Sequence, residues 1–134
     1  MRLVIFIFLS VFILSADEIE WQESYKEALK IAKTENKNVM MLISKPKCRW
    51  CKKLKFTTLE DEDIIERIND KYISVEVSRG DGTYPEVFDA PYVPMTYFIT
   101  PTGKRILKVG GYWAEDSFHS WLNDAEKRLK KMNN

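Results

Sequence analysis

Two cysteines and one histidine are all the thiol and imidazole in this 134-residue chain, and that scarcity rules out several chemistries. A structural zinc centre takes four protein ligands, whereas Cys48 and Cys51 offer two, His119 a third, and no fourth partner is in view. Covalent haem attachment of the C-x-x-C-H kind fails because residue 52 is Lys. Neither a metal nor a bound cofactor is expected. Disulfide staples are not needed for folding either, since 134 residues with 45% hydrophobic content are enough to bury one domain's core. Net charge is also scarce, with 21 Lys and Arg against 20 Asp and Glu. Residues 1–16 hold one of those cations, Arg2, and no acid, so the rest of the chain is formally neutral. No global field recruits nucleic acid or an anionic membrane. Internal repeats and low-complexity segments are missing, and nothing marks a paired-carboxylate hydrolase site: Glu76 and Asp81 read as ordinary surface residues.

There is one long apolar run, from Leu3 to Leu14, broken only by Ser10. Arg2 precedes it, and small Ser15 and Ala16 follow before acidic Asp17 and Glu18, which is the layout of a secretory signal. About a dozen residues fall short of the roughly 20 that a spanning helix needs. The expectation is a signal peptide over 1–16, cut after Ala16, and a domain over 17–134 with no stable membrane insertion. An uncleaved anchor is the alternative, because Leu14 is larger than the residue usual three positions before a cut. No cysteine follows the run to carry a lipid, and the final "KKMNN" is no retention signal. The periplasm is therefore the expected compartment, where disulfides form and persist.

The segment after Ala16 has Trp21, Tyr25, Ala28, Leu29 and Ala32 at helical spacing, which predicts an amphipathic helix ending near Asn36. "VMMLIS", residues 39–44, reads as a strand covered on both faces. Helix-compatible sequence runs from Arg49 to about Leu59, and acidic "EDED" opens another helix carrying Ile64, Ile65 and Ile68. "YISVEV", 72–77, is a second buried strand, and the stretch rich in Gly, Pro and Asp after it is loop. "MTYFIT", "PTGK" and "RILKV" predict a hairpin, after which Gly110 and Gly111 break the chain before a last helix with Phe118, Trp121, Leu122, Ala125 and Leu129 on one face. Trp21, Trp121 and Phe118 are read as core, and His119 as a partly exposed helix residue without catalytic duty. This order predicts an α/β fold: a central mixed β-sheet, with one parallel crossover and an antiparallel hairpin, flanked by helices.

Both cysteines lie in "SKPKCRWCKK", directly after the first buried strand. A permanent staple across two residues closes too small a loop to stabilise much, which leaves a redox pair as the favoured reading. With a helix beginning at Cys48, unsatisfied N–H groups and the positive end of the dipole point at its sulfur and favour thiolate. Lys45, Lys47, Arg49, Lys52 and Lys53 add positive charge, read equally well as tuning or as a solvated face. Cys48 is then the attacking sulfur, and Cys51, one turn into the helix and facing inward, resolves the mixed disulfide. Trp50, between the two, offers an apolar rim for substrate.

A buried strand running into C-x-W-C-K-K at a helix start, followed by "YVPMTYFITPTGKRILKVGGY", resembles the thioredoxin superfamily, in particular its exported thioredoxin-like members. The resemblance spans about residues 19–131. It implies a thioredoxin fold, Cys48 as nucleophile, Cys51 as resolving thiol, and Pro94 held in cis so that the backbone of Val93 turns toward a bound peptide. Two departures stand out. Leu42 occupies the place where cytosolic thioredoxins carry a buried aspartate, and Arg49-Trp50 replaces Gly-Pro. The redox potential therefore cannot be borrowed from thioredoxin. The expected activity is dithiol–disulfide exchange with protein substrates by a monomer, as a reductase fed by a membrane electron donor. The alternatives are an oxidase or isomerase of the same fold and a peptide-binding module with inert cysteines.

Overall fold

The computed structural model describes residues 17–134, so the expected signal peptide lies outside the described residues. Strand β1 (Trp21–Gln22) leads into α1 (Tyr25–Glu35), β2 (Asn38–Ser44), α2 (Arg49–Phe56), a single 3-10 turn (Thr58–Glu60), α3 (Glu62–Lys71), β3 (Tyr72–Ser78), β4 (Met95–Ile99), β5 (Arg105–Gly110) and α4 (Glu115–Met132). The five strands form one mixed sheet in the order β1-β3-β2-β4-β5. β3 runs parallel to both β1 and β2, while β4 is antiparallel to β2 and β5.

Period-two alternation on β2 explains how the sheet is covered on both sides. Met40 and Leu42 join a core with Leu54, Ile64, Ile65, Ile68, Phe98, Phe118 and Leu122, beneath α2, α3 and α4. Val39, Met41 and Ile43 join the opposite core with Tyr25, Ala28, Ala32 and Tyr97, beneath α1. The continuous apolar run of 39–43 is therefore two alternating sets, each of them fully buried.

The start of the first helix differs from the expectation. Ser24 caps it, its hydroxyl accepting the Glu27 N–H at 3.1 Å, so α1 begins at Tyr25. Trp21 lies before that cap, in an edge strand paired with Ser74, and is 37% exposed rather than core. Phe118 is buried as expected, and Trp121 packs half-buried against the same core. The segment expected as helix to about Leu59 is α2 plus the 3-10 turn, because Thr57 breaks helical geometry at φ −127°. The "PTGK" hairpin closes with Thr100 N–H on Lys104 O at 2.8 Å and Gly103 at φ 86°, a conformation glycine adopts without strain.

Candidate active site at the start of α2

β2 ends at Ser44 and delivers the chain into the segment that carries both cysteines. Lys47, at φ 60°, makes the turn; a left-handed conformation costs a non-glycine residue about 1 kcal/mol. Cys48 is the N-cap of α2, its sulfur accepting the Cys51 N–H at 3.2 Å. The two cysteines are joined in a disulfide with their Cα atoms 5.2 Å apart. Both cysteines are buried, Cys48 at 7% exposed and Cys51 at 2%, so the first is the more accessible of the two.

One aromatic residue, Trp50, lies between the cysteines in the chain. Trp50 is 45% exposed and packs against Tyr112, ring centres 5.8 Å apart. Arg49 lies over the Trp50 ring at 5.0 Å, and Lys53 lies 5.2 Å from Trp50 and 4.6 Å from Tyr112, so one ammonium faces both rings. Tyr92 is exposed and stands over the backbone of Gly110.

β4 runs antiparallel to β2 with Met95 opposite Ile43, which brings the loop residues Val93 and Pro94 next to the end of β2, where the cysteine segment begins. The Val93–Pro94 peptide bond is cis, in line with the expectation for Pro94. Pro94 accepts the Gly111 N–H at 2.8 Å, which ties this loop to the Gly110-Gly111 corner ahead of Tyr112. Neither the N–H nor the C=O of Val93 is hydrogen-bonded among the described residues. Asp89, upstream, accepts hydrogen bonds from Lys108 at 2.6 Å and from Tyr97 at 3.0 Å, and the Lys108 bond first and the Tyr97 bond second hold its carboxyl below the usual range.

Glu76 departs from its reading as an ordinary surface residue. It pairs in register with Leu42, faces α2, and its carboxylate takes the Ser44 hydroxyl at 2.6 Å and the Lys55 ammonium at 2.8 Å. Lys55 lies one turn beyond Cys51 on the same helix. A single charged residue on the largely apolar β3 was the signal for this inward-facing pair. Asp81 does stay exposed, capping its own loop through Ser78 and Thr83. His119 lies away from the cysteines, between α3 and α4, accepting from Arg67 at Nδ1 over 3.0 Å. Among the described residues no cluster of three or more His, Cys, Asp or Glu could hold a metal ion, and no helix is long and apolar enough to cross a membrane.

The profile of the thioredoxin-like domain family matches residues 25–126. Anterior gradient protein 3 of Xenopus tropicalis is 29% identical over 117 residues, 87% of this chain and 71% of that protein. The mouse protein of the same name is 28% identical over 64% of this chain and 52% of its own length. Two solved structures share the fold. The DsbH oxidoreductase aligns with a TM-score of 0.67 at 22% identity, covering 84% of this chain and 88% of that one. A putative disulphide-isomerase from Bacteroides thetaiotaomicron aligns at 0.69 and 21%, covering 85% and 95%.

Proposed function

Since this chain belongs to the thioredoxin-like domain family, we propose that it is a thiol–disulfide oxidoreductase acting on protein substrates. The observation that carries this reading is the Cys48–Cys51 disulfide at the start of α2, with Cys48 the more accessible of the two buried cysteines.

In the reduced protein Cys48 acts as the thiolate, because the Cys51 N–H that its sulfur accepts also stabilises a negative sulfur. That sulfur attacks a substrate disulfide. The Cys48–substrate bond forms, the substrate bond breaks, and the departing sulfur takes a proton from solvent. Cys51 then gives up its proton and attacks Cys48, forming the internal disulfide and releasing the second substrate thiol. Two electrons pass from protein to substrate, and a membrane electron donor returns them. Val93, with both backbone groups open, pairs with an extended substrate beside Pro94 and Trp50.

The working compartment in this proposal is the periplasm, reached through the signal over residues 1–16, leaving 17–134 as the functional domain. Reduction is the direction adopted, on the likeness to exported reductants. The cations about Cys48 favour the opposite, oxidising direction, since stabilising the thiolate stabilises the reduced form. The reduction potential against glutathione buffers decides: about −270 mV supports the reductase, and about −120 mV makes the protein an oxidant. Cys48→Ser should abolish turnover of a disulfide substrate; turnover that persists would sink the proposal.

A further inference from the structure

We propose that the substrate is an acidic stretch of polypeptide: a segment with carboxylates flanking its reacting cysteine and an apolar or aromatic residue that packs on Trp50. This rests on the exchange reaction proposed above and names its substrate class.

From Asn36 to Leu59 the chain has no acidic residue. Lys45, Lys47, Arg49, Lys52 and Lys53 are all exposed around the disulfide. Among the described residues none of the five is in an ion pair or a side-chain hydrogen bond with an acid. The next cation along α2, Lys55, behaves differently, being held by Glu76 at 2.8 Å. Two acids are likewise engaged, Glu76 with Lys55 and Asp89 with Lys108, while exposed Glu60, Glu115 and Asp116 are in no ion pair among the described residues, so the positive excess belongs to the segment 45–53. The reacting sulfur thus sits in a local positive field on a chain whose formal net charge is only +1.

The rings at the site do not neutralise that field. Arg49 and Lys53 present their charge to Trp50 and Tyr112, yet a guanidinium has five N–H donors and an ammonium three, and ring contacts leave them free for carboxylates. Trp50, 45% exposed, supplies apolar surface beside the cysteines, and Tyr92, 56% exposed, adds more next to Val93 in the chain. The open N–H and C=O of Val93 favour an extended main chain over a small acid. Exposed ion pairs are individually weak and fall off beyond about 10 Å at 0.1 M salt, so the preference grows with the number of carboxylates and fades with ionic strength. It acts chiefly on the rate of encounter.

The test uses the reduced full chain and disulfide peptides of identical length, each with one Trp beside the disulfide and flanks of Glu, Gln or Lys. At low salt kcat/KM should rank Glu above Gln above Lys, with about tenfold between the first two, shrinking to about twofold or less at 0.5 M salt. Equal rates, or a ranking that salt leaves intact, would overturn the inference while leaving the oxidoreductase reading standing. The double variant Lys52→Glu, Lys53→Glu should reduce or invert the Glu-to-Lys ratio, a comparison within one protein that is insensitive to altered reactivity; an unchanged ratio counts against the inference. Oxidised glutathione, a small acidic disulfide, should react more slowly than the Glu peptide, and an equal rate would overturn the requirement for a polypeptide. Peptide binding to Cys48→Ser, read by fluorescence anisotropy, separates the two proposals. Tighter binding of the Glu peptide supports the acidic preference even if turnover is absent throughout, and equal binding overturns it.

Discussion

A Cβ at Gly110 would run into the ring of Tyr92. Tyr92 is an exposed side chain free to swing outward, so Gly110→Ala is expected to displace the ring at a cost below about 1 kcal/mol, measured as a small shift in Tm. A loss several times larger would mean that the tyrosine is fixed in the corner. At this scale the legible residues were those whose chemistry is local. Cys48 and Cys51 announced a pair by spacing alone, and a buried Phe118 followed from helical periodicity. Trp21 was misread because it sits at helical spacing from Tyr25, and spacing does not say where the helix begins. Ser24 and Glu27, at N-cap and N3, were the available start signal.

Elements divide in the same way. α1 depends on Ser24 for its first turn, and Ser24→Ala should destabilise the protein by about 1 kcal/mol, checked by urea denaturation. A loss near zero would show that the helix is held by packing of Tyr25, Ala28 and Ala32. α3 reads even more plainly, with Asp61 accepting the Ile64 N–H at 3.0 Å and acids filling its first turn. α2 is the unusual one, since its cap is the reactive Cys48 and its first turn holds no acid. Its end was overrun because Thr57 gives little warning that the chain tightens into a 3-10 turn, which Thr58 then anchors to the carbonyl of Trp113 at 2.6 Å.

For the whole molecule, the packing of α3 on α4 is joined by Glu126, which accepts from Arg67 and Lys71, each at 3.0 Å. Burial pulls this carboxyl upward, but the hydrogen bonds and charges of Lys71 and Arg67 outweigh it and hold it below the ordinary 4.5. The folded state thus binds the proton more weakly than the unfolded chain. Its stabilisation is present above about pH 4.5 and is lost as pH falls through the native value. Glu126→Gln should lower stability at neutral pH by roughly 0.5–1 kcal/mol and flatten the acid limb of stability against pH, read from urea midpoints. A mutant whose acid limb matches the parent's would assign that limb to other carboxylates.

Apart from the edge strand β1, the order of strands and helices, the mixed sheet and the cysteine pair were all determined by sequence, because hydrophobic period, turn residues and a two-residue spacing act over short stretches of chain. Tertiary structure alone decided what shares the site. Val93 and Pro94 come next to the end of β2, where the cysteine segment begins, through the pairing of Met95 with Ile43. Tyr112 meets Trp50 from beyond β5. Glu76 finds Lys55 by facing α2 in register with Leu42. Each of these contacts joins residues more than 15 positions apart, and their partners depend on strand order and register, which no local pattern encodes.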